Sequence, residues 1–548
     1  MIILIVLTVL GTIFQGVVMF RSGLLYSYGV GYFGPLARDG VWHEALVNQL
    51  KLAIPPQNPG FAGAILSNYH YLYDLLVAAV SRFLNIGSAF LIYRFFPVVF
   101  SVLLGIGTYK LANILFKDRK TSLLAVFFAY FASSFGWVVS LIKGEQIGGE
   151  STFWANQPVS ININPPYAIS LVIIIFVIIL LDLYLKKPNI VKGVILSVAI
   201  GLLVGFKAYA GAIALFALFF LTIKKISFDR NFSLLSIFLL SGGIFLTVYL
   251  SISRGGVGLI GFQPLWLIDT MIDAGDRVGI PNFTARRFAY LGGHRWLNFS
   301  VIELISLLIF FVGNLGTRIT ALWGIRKKFF TSDIHLFIFL MMVAATLPTL
   351  LFVQKGNPWN IIQFFYYFLY FAGLYAAFAL SKFSTPILVL VLLITPISSY
   401  ATFRSVLYPN PPAYLPLKEY QALNFLKLEL PGVILKHPYD SNLRNKYNDP
   451  YPLSVYADNA YVSAYSGKPV FIEDAEQQII LDTSYKERLD EANRFFVEKD
   501  LNWSNGFLKS NNIRYVYVPK IYQLPMAEGE YSMKKVFENE DANIYKVE

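Results

Sequence analysis

The chain has 548 residues, of which 56% are hydrophobic and 14% charged, and its mean hydropathy is +0.56. Soluble proteins contain about 45–50% apolar residues, whereas the apolar residues here occur in blocks of roughly 20, the length of helix that spans a bilayer. The composition therefore excludes an ordinary soluble protein and predicts a polytopic membrane protein. The absence of cysteine also excludes disulfides, thiolate catalysis and cysteine-ligated zinc.

The net charge of +12 comes from lysine and arginine residues that are clustered between the apolar blocks. In chain order the basic clusters are 117–120, Lys186 with Lys187, Lys224 with Lys225, 326–328, and Lys382. Short clusters of this kind mark the cytoplasmic loops of membrane proteins. Because the basic residues form no stripe interleaved with aromatics, we predict no nucleic-acid partner.

The first apolar block, 2–20, lacks a basic segment before it and a small-residue cleavage site after it, so it predicts a retained membrane anchor. A long polar stretch, 21–90, follows. Within it, 69–84 is short for a span and keeps two charges, which predicts an amphipathic helix lying at the membrane interface. The other predicted spans are 91–116, 121–142, 167–185, two short spans within 193–223 that break near Lys207, 232–252, 299–325, 334–353, 361–380 and 385–403.

These blocks predict about eleven spans in the cytoplasmic membrane. With the basic clusters inside, the N-terminus lies inside and the C-terminal tail lies outside. Every long polar loop then lies on the outer face: 21–90, 143–166, 253–298 and 355–360. The convergence of these loops predicts an active-site or binding face rather than a pore.

The tail changes composition and predicts a small α/β domain outside the membrane. The predicted domains are therefore 1–403, a membrane domain with the long first loop, and 404–548. The β-type runs of the tail are 433–435, 461–465, 469–472, 513–518, 535–538 and 542–547, of which the last two predict a hairpin. Residues 484–499 have the apolar spacing of a helix.

Asp39, His43 and Glu44 in the first polar stretch are the strongest candidates for chemistry. Asp39 lies four residues before His43, so that the two side chains share one face of a helix. A carboxylate beside an imidazole suits a general base or a metal-binding pair. Asp39 also suits a plain helix cap, and His43 suits a satisfied polar residue rather than a ligand.

The layout resembles the GT-C superfamily of membrane glycosyltransferases, which includes protein O-mannosyltransferases, the aminoarabinose transferase and the oligosaccharyltransferase catalytic subunit. The shared features are a retained first span, an early acidic residue in a long first outer loop, an interfacial helix, and a span that ends in a basic cluster. The segment 54–76, IPPQNPGFAGAILSNYHYLYDLL, is also similar to a motif of the GT-C-like "YYY" membrane proteins. It departs from that motif with His70 in place of a tyrosine and with Gly60 where an aromatic residue is usual.

The resemblance implies a mostly α-helical GT-C bundle and an enzyme that takes a sugar from a polyprenyl-phosphate donor. The acceptor, a glycan, lipid or protein, would receive the sugar on the outer face, in the cell envelope. Asp39 matches the acidic residue that activates the acceptor, with Glu44 as the substitute. Some members bind a divalent cation, Mg or Mn, through acidic residues of later outer loops, for which Glu145 and Glu150 are the candidates here.

A sugar-phosphate leaving group requires positive charge or hydrogen-bond donors where negative charge develops. The candidate substrate-binding residues are Arg286, Arg287, Arg295, Lys355, Trp359, Asn164 and His70. Each arginine also suits contact with lipid headgroups or solvent, and turn chemistry equally explains Asn164. Lys207 is a charge at membrane depth, a functional position by default, although it could extend to the interface. Asp269, Asp273 and Asp276 recur at helical spacing and suit either a cation site or a solvated face.

Two other classes of protein stay open at this point. A transporter or flippase for a lipid or polysaccharide favours paired charges within spans and internal symmetry, of which only Lys207 is a sign. A non-catalytic envelope scaffold would use the outer domain to bind a glycan or a protein partner.

Overall fold

The computed structural model describes residues 1–253, 260–407 and 410–548. These residues form two compact units. The first unit comprises Met1–Val17, Pro97–Ser251 and Val257–Tyr408, and the second comprises Val18–Phe96, Ile252–Gly256 and Pro409–Glu548. The predicted loop 253–298 includes residues 254–259, which lie outside the described residues, as do 408 and 409 of the predicted tail.

Nine helical segments within the described ranges are long and apolar enough to cross a membrane, so the predicted polytopic membrane fold is confirmed. They are Ile2–Phe20, Ser88–Phe116, Pro165–Lys186, Ala208–Ser227, Ser233–Ile252, Trp296–Gly324, Asp333–Leu351, Pro358–Leu380 and Thr385–Leu407. Two predicted blocks account for the difference from about eleven spans. Block 121–142 is a broken pair, Arg119–Phe131 and Gly136–Lys143, bent by 48°. The first half of block 193–223 is the shorter helix Ile190–Phe206, which ends at the extended backbone of Lys207.

The strands within the described ranges are, in chain order, β1 (Leu24–Tyr26), β2 (Gly29–Tyr32), β3 (Ile260–Phe262), β4 (Phe352–Gln354), β5 (Ala413–Pro416), β6 (Val433–Lys436), β7 (Tyr451–Pro452), β8 (Ile513–Pro519), β9 (Met533–Glu538) and β10 (Ala542–Val547). In the first unit β3 and β4 form an antiparallel pair. The second unit contains two four-stranded sheets, ordered β1-β2-β5-β7 and β6-β8-β10-β9. The pairs β5–β7 and β6–β8 are parallel, and the remaining pairs are antiparallel.

The first polar stretch and the C-terminal tail together form the second unit. Strand β2 pairs with β5 from Gly29 opposite Pro416 to Tyr32 opposite Ala413. Gly29 has a φ of +128°, and a Cβ there would lie 2.0 Å from the Leu415 carbonyl oxygen, so this close approach requires glycine. The structure thus groups the first loop with the tail rather than with the membrane helices, a grouping that the sequence did not predict.

The remaining helices of the second unit are short. They are Asp39–Leu50, Leu72–Leu84, Leu417–Leu428, Ser441–Arg444, Leu453–Tyr456, Tyr461–Ser466, Ala475–Ile480, Tyr485–Phe495 and Leu501–Ser510. The 13 residues of Leu72–Leu84 rise about 20 Å, less than the hydrocarbon thickness of about 30 Å. This helix is therefore too short to span, as its sequence predicted.

The tail bears out most of the predicted elements. Strands β6, β8 and the β9–β10 hairpin occupy the predicted runs, and the predicted helix is Tyr485–Phe495. The prediction of a strand at 461–465 is wrong, because these residues form the helix Tyr461–Ser466. At the start of this helix, buried Glu473 accepts the backbone N–H groups of Val462 and Ser463. Gly467, at a φ of +69°, ends the helix. Run 469–472 forms only an isolated bridge between Val470 and Ile434.

Candidate functional site

Asp39 is an exposed acid at the start of a buried helix. The helix Asp39–Leu50 follows a 3-10 turn, Gly34–Ala37, and ten of its 12 residues are buried. Within the second unit the helix is enclosed along most of its length and open at its beginning. Asp39 lies at that beginning, where the helix dipole favours negative charge. The fold therefore presents this carboxylate while it fixes the backbone beneath it.

His43 lies one turn further on and is paired with Asp74. Its Nδ1 is 2.6 Å from Asp74 Oδ1, and the two side chains are 7% and 0% exposed. Asp74 belongs to the helix Leu72–Leu84, so the pair joins that helix to Asp39–Leu50. Burial raises the pKa of Asp74, and the neighbouring His43 opposes this rise. The pair is suited to holding the helix of Asp39 in position.

Glu44 is enclosed by tyrosine hydroxyls. Tyr32 donates to its Oε1 at 3.0 Å and Tyr93 donates to the same oxygen at 2.8 Å. The Tyr32 hydroxyl is also hydrogen-bonded to that of Tyr465. Burial raises the pKa of Glu44, and the two tyrosine hydrogen bonds lower it in part. Of the three predicted catalytic residues, only Asp39 is exposed; His43 and Glu44 are in the interior.

The residue next to Asp39 carries an ion-pair network that the sequence did not reveal. Arg38 lies 3.6 Å from Asp474 and also pairs with Glu476. Asp474 is buried at a φ of +54° and accepts the N–H of Gln477, so it caps the helix Ala475–Ile480. Burial raises the pKa of Asp474, which Arg38 opposes. The sequence contains one sign of this network, the acidic residues around 474 in the tail. Residue spacing alone does not show that Asp474 is a buried helix cap that faces Arg38.

His70, the other predicted substrate-binding residue of this region, lies in a row of aromatic rings. Its ring stacks on Tyr69 with centroids 5.2 Å apart, and Tyr69 contacts Trp42 edge-on at 5.8 Å. Trp42 belongs to the helix that begins at Asp39. His70 is half-buried, so the row of three aromatic rings ends in an imidazole that is partly open to solvent.

In the first unit, Asn164 and Lys207 come together at the break between the helices Ile190–Phe206 and Ala208–Ser227. Lys207 is buried and donates to Asn164 Oδ1 at 3.3 Å. Asn164 in turn donates to Gln363 Oε1 at 3.2 Å. A buried ammonium group with side-chain amides beside it at membrane depth is an arrangement suited to a polar or anionic ligand.

Trp359 and Lys355 belong to the loop after β4. Trp359 is 42% exposed and contacts Trp154 and Trp266, with ring centroids 5.7 and 5.6 Å apart. Lys355 is exposed in the same loop. A partly exposed cluster of tryptophans is typical of a membrane interface and also presents flat apolar faces to a ligand.

The three predicted arginines of loop 253–298 have different environments. Arg287 pairs with Asp269 at 2.9 Å and with Glu303, so two carboxylates compensate its charge. Burial raises the pKa of Asp269 to about 7, although Arg287 lowers it. Arg286 and Arg295 are exposed. They are therefore the members of this set whose charge is open to an anion.

The predicted metal candidates, Glu145 and Glu150, have different surroundings. Glu145 is exposed, whereas Glu150 is buried and accepts the Gln157 N–H and the Ser160 hydroxyl, both at 2.8 Å. Asp273 accepts the backbone N–H of Thr284 at 3.2 Å, and Asp276 lies 3.4 Å from Arg277. Within the described ranges, no group of three or more histidine or acidic side chains is arranged to hold a metal ion.

No protein-family model matches the chain, and a search of curated proteins finds no match. Solved structures do resemble it. The Archaeoglobus fulgidus oligosaccharyltransferase, solved in complex with Zn and sulfate, is 13% identical, with a TM-score of 0.51 over 94% of this chain and 68% of that one. The mycobacterial arabinofuranosyltransferase AftD is 11% identical, with a TM-score of 0.52 over 99% of this chain and 40% of that one. ArnT from Cupriavidus metallidurans is 10% identical, with a TM-score of 0.42 over 99% and 97%. The two of these structures with a TM-score above 0.5 show that the chain shares the fold of these membrane enzymes, which is the fold that the resemblance to the GT-C superfamily implied.

Proposed function

We propose that this GT-C-fold chain is a membrane glycosyltransferase. It moves a sugar from a polyprenyl-phosphate donor to an acceptor on the outer face of the membrane, with its N-terminus inside and its tail outside. The two solved structures at a TM-score above 0.5 are glycosyl-transferring enzymes, which supports the reaction class. The single observation that carries the proposal is the exposed carboxylate of Asp39 on a helix that is otherwise buried.

In this mechanism Asp39 is the general base. It accepts the proton of the acceptor hydroxyl while the acceptor oxygen attacks the anomeric carbon, and the bond to the lipid phosphate breaks with inversion. The His43–Asp74 pair and Glu44 with its tyrosines are positioning residues, because they fix the helix and are themselves buried. Holding a base within hydrogen-bond reach of its substrate depends on such rigidity.

The substrate contacts are also proposals. Two exposed cations, Lys355 and Arg295, are candidates for the donor phosphate, since charge develops there as the bond breaks. Asn164, Trp359 and His70 are candidates for the sugar, through amide hydrogen bonds and ring faces. Arg287 is a weaker candidate for phosphate binding because Asp269 and Glu303 already compensate its charge.

The test is a transfer assay with a panel of polyprenyl-phosphate sugars and membrane extract as the source of acceptor. The wild type should transfer one sugar of the panel, and Asp39→Asn should abolish transfer with unchanged thermal unfolding. Asp490→Asn is the matched control, an exposed aspartate of the same unit, and should behave as wild type. Failure of the folded wild type across the panel would instead favour a transporter or a scaffold. Transfer that survives Asp39→Asn would exclude Asp39 as the base.

A further inference from the structure

A groove of about 450 Å³ in the first unit lies between the helix Phe283–Gly292 and the membrane helix that begins at Trp296. One wall carries Arg286 and Tyr290, which are four residues apart and so share one face of their helix. The other wall is mostly apolar and includes Asn298, Val301 and Ile305. The groove thus has a polar, basic wall opposite an apolar wall.

The basic wall carries one uncompensated charge. Arg287, the next residue, turns away from the groove and pairs with Asp269 and Glu303. Arg286 is exposed, and no carboxylate in the described part of the chain forms an ion pair with it. Its guanidinium is accompanied by the Tyr290 hydroxyl and the Asn298 amide, both capable of hydrogen bonding. This set is suited to a single negative charge with oxygen acceptors.

The apolar wall lies on a segment apolar and long enough to cross a membrane. Val301 is 48% and Ile305 45% exposed, and they follow one face of the helix away from its polar start. An amphipathic molecule could therefore place its charged end on Arg286 while its chain covers Val301 and Ile305. Burial of apolar surface stabilises such a chain in proportion to the area covered.

We propose that this groove binds an anionic phospholipid of the bulk membrane, with the headgroup phosphate on Arg286 and a chain along Val301 and Ile305. The phosphodiester of an anionic phospholipid carries one negative charge that no cation in the headgroup offsets, so one arginine balances it. Among the described residues the lining holds no carboxylate and a single amide, so it offers few of the polar groups with which a site selects and positions a sugar. This absence favours a structural lipid over the sugar-bearing donor of the proposed reaction.

The test is native mass spectrometry of the full chain released from nanodiscs made of phosphatidylglycerol or of phosphatidylcholine. Arg286→Gln should retain about fivefold less phosphatidylglycerol, the effect of one basic side chain at an anionic lipid surface. Val301→Trp should lower retention similarly because the indole fills the groove while the helix stays apolar. The matched controls are Arg295→Gln and Leu304→Trp, exposed positions outside the lining, which should retain the lipid as wild type does.

Three results would overturn the proposal. Equal retention by Arg286→Gln and Arg295→Gln would show that the groove arginine does not select the lipid. Equal retention of phosphatidylcholine by the wild type would show that headgroup charge is not recognised. Displacement of phosphatidylglycerol by equimolar polyprenyl phosphate would assign the groove to the carrier lipid instead. Because none of these measurements uses transfer activity, failure of lipid binding leaves the proposed glycosyl transfer to its own test.

Discussion

The helices Asp39–Leu50 and Phe283–Gly292 each carry two ionisable side chains of the same sign, close in sequence but in contrasting environments. In the first helix, Asp39 is exposed whereas Glu44 is buried and accepts two tyrosine hydroxyls. In the second, Arg286 is exposed whereas Arg287 is paired with two carboxylates. Residue type and proximity in sequence therefore do not distinguish the enclosed ionisable side chains from the exposed ones that we propose to meet a ligand. Burial and partners do.

The two helices also differ in what fixes them. Asp39–Leu50 is enclosed by other elements of the second unit, and the His43–Asp74 pair joins it to a neighbouring helix. Phe283–Gly292 buries one residue, Phe283. A rigid helix suits a base that must be held within a hydrogen bond of its substrate, whereas a half-solvated helix suits a lipid that needs only charge and apolar cover. Substitutions in and around the two helices test this division.

The largest effect is expected for Asp39→Asn. Loss of a general base lowers the rate by about 10²–10⁴-fold, whereas a surface substitution changes the free energy of unfolding by only about 0.5 kcal/mol. Transfer rate and thermal unfolding measured on the same preparation check both parts. A variant that loses activity and stability together would place Asp39 among the structural charges, and the contrast with Glu44 would disappear.

Asp74→Ala should have the next largest effect, on stability. Removing one partner of a buried pair costs about 3–5 kcal/mol, and Asp74 is fully buried against His43. Denaturant unfolding in micelles measures the loss, with Asp490→Ala as the exposed control. If Asp74→Ala unfolds as the wild type does, the pair does not fix the helix of Asp39.

The sequence was informative where one helix or one strand determines the pattern. Apolar length predicted the membrane segments, and two consecutive β-type runs predicted the β9–β10 hairpin. It failed where distant segments decide the outcome. Strand β2 pairs with β5 from the other end of the chain, and the helix Asp39–Leu50 is buried at ten of its 12 residues within the same unit. The helix Tyr461–Ser466 has a β-type composition, yet Glu473 and Gly467 fix its two ends.

The candidate site shows the same limit. Asp39, His43 and Glu44 could be singled out because acids and histidines are scarce in an apolar chain. The environments of these side chains could not be predicted, because Asp74, the hydrogen-bond partner of His43, is 31 residues away. Tyr93, one of the hydroxyl donors to Glu44, lies in the next membrane segment. Likewise, Arg286 and Arg287 are consecutive residues of the same type, so the sequence does not distinguish them. Only the fold shows which of them faces Asp269.

Arg287→Gln should destabilise the first unit by about 2 kcal/mol, since it leaves two buried carboxylates without their cation. The loss should grow with pH. The folded-state pKa of Asp269 is already raised to about 7, and removing Arg287 raises it further, so the folded variant holds a proton that the unfolded chain releases above about pH 4. Unfolding at pH 5 and pH 8 checks this. Arg286→Gln is the control and should change little at either pH.

The smallest effect is expected for Glu44→Gln, which keeps the shape and the acceptor for Tyr32 and Tyr93. Burial raises the folded-state pKa of Glu44 above its ordinary value of 4.5. The folded wild type therefore binds more protons than the unfolded chain just above that pH, and its stability falls as pH rises, by at most about 1.4 kcal/mol per pH unit for one proton. The variant has no such proton, so its unfolding free energy should depend less on pH just above the ordinary glutamate pKa of 4.5. Transfer by the variant should persist, because Glu44 is enclosed. A variant with wild-type pH dependence and no transfer would reverse the roles of Asp39 and Glu44, making Glu44 the base and Asp39 a structural charge.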